Sequence, residues 1–274
     1  MGVRLLLRRA LKRTSTSVFQ LLPGVLGDGR LNRCLTVTRN GREVFRIRDF
    51  GPLTRMRAET FESKEPETLR WIESFEPGSR FLDVGANVGV FSLYAVARGC
   101  DVVAVEPDAL NFALLHENIR LNPKLGTVSV RAYSLALHKD FRISELNVSS
   151  SEWGSALSSF DSAIDFKGDV FLPLLGRGCV GIQLDTFVEQ IGFEPDHMKI
   201  DVDGNEIQVL QGAPQVLASR RLNSVLIELD ERRPDYEECL RLLRHSGFKL
   251  VEKSRAAVVV ASVFAESYNH VFRR

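Results

Sequence analysis

The chain has 274 residues, 44% of them hydrophobic and 26% charged, enough to bury a full core without disulfides or metal. A net charge of +1 gives no general case for a nucleic-acid partner, which usually needs a strongly basic face. Cys34, Cys100, Cys179 and Cys239 form no Cys-x-x-Cys pair, so neither a zinc knuckle nor a redox motif is encoded and the thiols read as reduced.

The chain begins with a basic stretch over residues 1–27, where Arg4, Arg8, Arg9, Lys12 and Arg13 occur and no acid precedes Asp28. Val3, Leu6, Leu7, Ala10 and Leu11 follow helical spacing. The segment is therefore expected either to contact an anionic membrane surface, through residues 1–22, or to pack on the domain that follows. Leu5-Leu6-Leu7 is broken at once by Arg8-Arg9, and no apolar core of a secretory signal follows. Alternation over residues 31–48 around Asn40-Gly41 predicts a β-hairpin. Gly51-Pro52 reads as a polar link, and a helix is expected over 65–75, stopped by Glu76-Pro77-Gly78. Residues 1–64 are thus assigned to an N-terminal helical and hairpin extension and 65–274 to the main domain.

Phe81-Leu82-Asp83-Val84 reads as the first strand of that domain, and it breaks into Gly85-Ala86-Asn87-Val88-Gly89 ahead of a helix over 90–98. Without a Cβ at Gly85 and Gly89 the backbone can turn sharply and let a ligand approach its amides, while the helix aims its N-terminus at the same spot. Asp83 adds an acceptor there. A dinucleotide fingerprint needs glycines at relative positions zero, two and five; Asn87 and Val90 hold the second and third of these, which argues against NAD or FAD. Residues 101–105 form a second strand, and Glu106, 21 residues after Gly85, stands where an acid can accept hydrogen bonds from two ribose hydroxyls. Asp108 suits the N-cap of the next helix, which Asn122-Pro123 stops.

Residues 127–132 read as a third strand leading to Leu135-Ala136-Leu137-His138. An irregular insertion over 140–181 holds one strand, 142–148, and a polar loop from Ser149 through Trp153 to Ser155, where binding specificity is expected. Trp153 either stacks on a ligand or plugs the loop onto the core. Then come a strand over 197–202, a helix over 205–218, a strand over 224–229, a helix over 234–245, and strands over 248–253, 258–264 and 270–273. The apolar run that includes 258–264 is too short to span a membrane, which takes about 20 residues. This alternation predicts an α/β, Rossmann-like fold with a mostly parallel seven-stranded sheet and helices on both faces. Ligands of such sheets bind beyond the carboxyl ends of the strands, where the first and fourth strands meet. Asp83 ends the first strand, and Asp201 and Asp203 end the fourth, so all three carboxylates are expected to face one crevice.

Asp83-Val84-Gly85-Ala86-Asn87-Val88-Gly89 with Val105-Glu106-Pro107 resembles the donor-binding motifs of class I S-adenosylmethionine-dependent methyltransferases. Met198-Lys199-Ile200-Asp201-Val202-Asp203-Gly204-Asn205-Glu206, followed by Val209-Leu210-Gln211-Gly212-Ala213, resembles the signature of the FkbM family, usually Lys-Ile-Asp-Val-Glu-Gly-Ala-Glu and then Leu-x-Gly-Ala. The resemblance runs from about Glu65 to the C-terminus and includes Leu184-Asp185-Thr186-Phe187, Ile227-Glu228 and Asn269-His270-Val271-Phe272. Two positions depart from it: Asp203 stands where Glu is usual, which shortens the carboxylate by one methylene, and Asn205 stands where Ala is usual.

The resemblance implies a Rossmann-like methyltransferase fold and S-adenosyl-L-methionine as cofactor, held by Asp83, Gly85, Asn87, Gly89, Glu106 and, beside the adenine, Leu137. It implies an acceptor hydroxyl on a sugar, glycolipid or small natural product, with no nucleic acid. Because such a hydroxyl must lose its proton, a carboxylate or His has to lie within reach. Asp201, Asp203 and Glu206 are the catalytic candidates, ahead of His138 and His197. Glu206 alternatively complements the dipole of the helix it opens, and Lys199 alternatively pairs with a neighbouring acid. No metal is assigned, although Asp201, Asp203 and Glu228 make an oxygen-ligand set. Two other functions stay open: a nucleotide-sugar oxidoreductase, and a noncatalytic module that binds the donor at a membrane surface. The expected location is the cytoplasm, free or peripheral to a membrane.

Overall fold

Asn40 and Gly41, at φ 51° and 73°, supply the left-handed pair that a tight hairpin needs, and they join β1 (Cys34–Arg39) to β2 (Arg42–Arg48). The computed structural model describes residues 33–123, 125, 130–255 and 266–274; the basic segment before residue 33 and the strand expected over 258–264 lie outside them. After the hairpin, Gly51-Pro52 does not make a link. Pro52 opens α1 (Pro52–Glu59), where its missing N–H has no intrahelical partner to lose. The short α2 (Phe61–Lys64) and α3 (Pro66–Glu73) follow.

The βαβαβ run then appears as β3 (Arg80–Val84), α4 (Val90–Ala97), β4 (Asp101–Val105), α5 (Ala109–Leu121) and β5, which is described from Val130 to Tyr133. The insertion is more regular than its sequence suggests. It holds β6 (Ala136–Leu137), β7 (Arg142–Val148), β8 (Ser159–Phe160) and β9 (Leu175–Ile182), joined in the order β6-β9-β7-β8. Ala136, Leu146, Val148 and Phe160 bury its inner side. Gly176, Gly178 and Gly181 give β9 no side chains at three of its positions, which hides it from a pattern of alternating polarity.

The second half comprises α6 (Leu184–Ile191), β10 (His197–Ile200), α7 (Glu206–Gln211), α8 (Pro214–Ala218), β11 (Ser224–Asp230), α9 (Tyr236–His245), β12 (Lys249–Ser254) and β13 (Ser267–Arg273). The single helix expected over 205–218 is two, because Pro214 cannot donate into a continuing helix and instead starts a new one.

Seven strands form one sheet in the order β12-β13-β11-β10-β3-β4-β5. The five from β11 to β5 are mutually parallel, and β13 runs antiparallel between β11 and β12. Leu82, Val103, Met198, Ile200 and Ile227 pack on one side of the sheet and Phe81, Val102, Leu226 and Val271 on the other, each side under its own layer of helices. Full burial of each such side chain contributes about 1.5–3 kcal/mol. The second layer includes Val37, Phe45 and Ile47 of the hairpin and Phe61 of α2, with Phe61 edge-on to Tyr94 at 5.3 Å. Cys34–Arg274 therefore form one compact unit. Within it β3 and β10 are neighbours, and the chain leaves both at the same edge, which is where a crevice opens.

Candidate active site

Gly85 sits at φ 81°, and a Cβ there would lie 1.8 Å from the Asp201 carbonyl oxygen. Only glycine lets the loop leaving β3 press flat against the end of β10. The amides of Gly85 and Ala86 donate to the Val105 carbonyl at 2.9 and 3.0 Å, so the same loop is pinned to the end of β4. Asn118, fully buried on α5, donates to the Val88 carbonyl at 2.8 Å and accepts from the Arg48 amide, tying the loop to the hairpin.

The loop borders a cavity of about 180 Å³ whose apolar wall includes Leu135, Ala136, Leu137, Leu146 and Phe160. Gly85, Asn87, Glu106, Leu137, Asp201 and Asp203, all singled out from the sequence, line it. Glu106 accepts the Asn87 amide on Oε2 at 2.7 Å and the Asp108 amide on Oε1 at 2.8 Å. Burial outweighs these two bonds and pushes its carboxyl up to about 8. Asp108 caps α5 by accepting from the amides of Leu110 and Asn111, and Arg177 pairs with its other oxygen.

Three of the expected site residues do not reach the cavity. Gly89 takes φ 85° as the N-cap of α4 and faces Leu115, 2.3 Å from where a Cβ would stand. Asp83, 1% exposed, points under the sheet edge, where Ser92 donates to Oδ2 at 2.6 Å and Oδ1 has no hydrogen-bond partner. Strand parity explains this: Val84 faces the cavity, so the preceding residue faces away. Glu206, 4% exposed, turns back on its own loop and accepts from the amides of Val202 and Gly204 at 3.2 and 3.1 Å. It closes the turn between β10 and α7 and is held by burial at about 7. His138 and His197 are also remote: His138 meets Asp140 at 2.9 Å, and His197 stacks on Phe75 at 3.8 Å and meets the Ser224 hydroxyl.

Beside the cavity lies a buried charge cluster that the sequence only hinted at. Lys199 is the register partner of Asp83, is 1% exposed, and donates to Asp201 Oδ2 at 2.6 Å with its ammonium 5.2 Å from the Phe91 ring. Burial alone would discharge it, but Asp201 and Asp83 hold it above its ordinary value. The same ammonium overrides burial at Asp201 and keeps that carboxyl well below the usual range. Glu228 goes the other way: burial and the charge on Asp201 keep it protonated, and it donates to Asp201. Asp203, raised by burial and by Asp201, reaches about 6. Lys64 sits 2.9 Å from Glu65, whose Oε2 also accepts from Asn269 at 3.3 Å. Among the described residues, no group of three or more His, Cys, Asp or Glu side chains is arranged to hold a metal ion.

Ser155, at the end of the loop where binding specificity is expected, lines the cavity too, and so do Arg57, Lys64, Asn111 and residues 156–158, which the sequence did not single out. The Gly-Pro step before α1, read from the sequence as a link, is the signal that could have marked the helix carrying Arg57. Trp153 resolves as a plug, its ring 4.7 Å from Phe50 and packed against the core layer under the hairpin.

A sequence model of the Methyltransferase FkbM domain matches residues 83–250, more than half of the chain. A comparison with curated proteins finds no match. Among solved structures the chain is similar to a TehB-like SAM-dependent methyltransferase from Corynebacterium glutamicum, at 13% identity over 76% of this chain and 86% of that one with a TM-score of 0.40. It is also similar to precorrin-6y C5,15-methyltransferase from Geobacter metallireducens, at 11% identity over 77% and 86% with a TM-score of 0.44. A third is TYW2 from P. horikoshii in complex with MeSAdo, at 15% identity over 87% and 69% with a TM-score of 0.43. No helix among the described residues is long and apolar enough to cross a membrane. On the family match, the chain belongs to the FkbM methyltransferase family and is an S-adenosylmethionine-dependent methyltransferase.

Proposed function

We propose that the protein methylates a hydroxyl oxygen of a sugar, glycolipid or small natural product, with Asp203 as the base that receives the hydroxyl proton. The observation that carries this is Asp203 itself, a half-buried carboxylate on the cavity wall, pushed up to about 6 by desolvation and by Asp201. A base near the working pH is ionised enough to accept a proton and basic enough to draw one.

The residues fit the donor. Each oxygen of Glu106 spends one lone pair on an amide and keeps another for one of two vicinal ribose hydroxyls. Leu135, Leu137 and Phe160 offer an apolar slot for the adenine, and Gly85 lets its edge approach the backbone. When bound, the donor supplies a methyl group already activated on a sulfonium. Asp201, kept ionised by Lys199, places negative charge where that positive charge would lie. Asn87, Glu106 and Asp203 do the positioning, which supplies most of the catalysis when the leaving group needs no covalent help.

The cavity also favours an uncharged polyol over a phosphate-rich polymer, since Asp201, kept ionised, and Asp203 above about 6 would repel each phosphate. This supports an acceptor other than nucleic acid. Incubation with methyl-labelled donor and fractionated lysate tests the reading. Label is expected in glycan, lipid or small-molecule fractions, and label confined to RNA or protein would overturn it.

A further inference from the structure

Residues 155–158 wall the cavity, yet the loop that carries them is held mainly from outside itself. Asn111 on α5 accepts the Gly154 amide at 2.9 Å and donates to the Ser155 carbonyl at 2.9 Å. Asn87 of the glycine loop donates to that same carbonyl at 2.7 Å. Arg57 on α1 forks Nε and Nη2 onto the Gly154 carbonyl at 3.1 and 2.8 Å. Asp203, in the turn after β10, accepts the Leu157 amide at 2.6 Å. Four elements remote in sequence thus hold one short strap, and all four holding residues, Asn87, Arg57, Asn111 and Asp203, line the cavity themselves.

Backbone strain gathers along the same path. Asn87, Leu157 and Asp203 have φ of 51°, 65° and 53°, the left-handed region that a branched side chain such as leucine rarely enters. Such conformations persist only where the surroundings impose them, and they concentrate at sites that work by preorganisation. Leu157 and Asp203 are bonded to each other, so the strap's strain is applied directly to the proposed base.

We propose that Arg57 is a positioning residue for methyl transfer: it latches the strap through the Gly154 carbonyl and thereby holds the Asp203 carboxylate where an acceptor hydroxyl must meet it. The inference rests on the reading of Asp203 as the base. Arg57 is suited to this because its planar fork can give two donors to one carbonyl while its charge still faces the acids, which the single ammonium of lysine does less well. The groups that face Asp203 divide by sign. Asp201 and Glu106 disfavour its charge; Arg57, Lys64 and the Leu157 amide favour it.

The test uses the full chain with Arg57→Met and Arg57→Lys, and follows the Asp203 carboxyl by carbon-13 NMR, its resonance identified by its loss in Asp203→Asn. Removing the charge is expected to raise the Asp203 midpoint by roughly one unit, the scale of a neighbouring opposite charge, whereas Arg57→Lys stays near wild type. Both variants are expected to expose the strap, so limited proteolysis should cut within 149–158 faster than in wild type. An unmoved midpoint in Arg57→Met, or wild-type protection of the strap in both variants, overturns the proposal. Label transfer at the wild-type rate by Asp203→Asn would defeat the base reading, and with it the catalytic meaning of Arg57, whatever the resonance does.

Discussion

The half of the cavity assigned to the donor and the half assigned to the acceptor are built in opposite ways. On the donor side, Gly85, Asn87 and Glu106 come from two consecutive strand ends, and they are held by backbone amides bonded to Val105 and to Glu106 itself. On the acceptor side, Arg57 reaches Gly154 across 97 positions and Leu157 reaches Asp203 across 46. The first half is local and stiff. The second exists only when the whole fold has closed, so its geometry should respond to distant changes and the donor half should not.

The largest effect is expected at the acceptor half. Asp203→Asn should lower label transfer by about 10²- to 10⁴-fold, the usual worth of a positioned base, while calorimetry finds donor affinity close to wild type. Equal losses in binding and turnover would merge the two halves. Next, Glu106→Ala should weaken donor binding by about 10- to 100-fold through two lost hydrogen bonds. An unchanged calorimetric affinity would sink the donor assignment. Glu206→Ala should cost about 1–3 kcal/mol of stability in urea titrations, because the buried amides of Val202 and Gly204 lose their acceptor, with donor affinity retained. A large loss of affinity without loss of stability would return Glu206 to the site.

The smallest effect is one of pH. Glu106 holds its proton up to about 8 in the fold but only to about its ordinary 4.5 in the unfolded chain. Between those values the native state carries the extra proton, so stability should fall as pH rises through that window. Urea midpoints measured across it should fall less in Glu106→Gln than in wild type; parallel slopes would show that burial does not hold that proton.

What the sequence made legible follows the same division. Glycine spacing, the acid after the second strand and the hairpin at Asn40-Gly41 are local, and each has a backbone reason that needs no partner. Asp83 and Glu206 were placed in the crevice because they flank it in sequence. A strand alternates its faces, and a carboxylate two residues past a glycine can fold back on its own amides, so proximity along the chain misled. Gly51-Pro52 was read as a link although proline is equally at home in a helix's first turn. The polar loop at 149–155 was legible as a binding segment, but Arg57 and Lys64 carried no signal, since their meeting with it depends on tertiary packing between segments tens of residues apart. The four-stranded insertion was masked by glycines that leave strand positions without side chains.

Strand β13 lies between β11 and β12, and β12 has no other neighbour in the sheet among the described residues. On β13, Asn269 sits opposite Glu228 and donates to both Glu65 and Glu67, so the strand that seats β12 also holds two buried acids. Loss of that one strand would therefore uncover an edge of β11 and of β12 and take an amide donor from two buried acids in a single stroke.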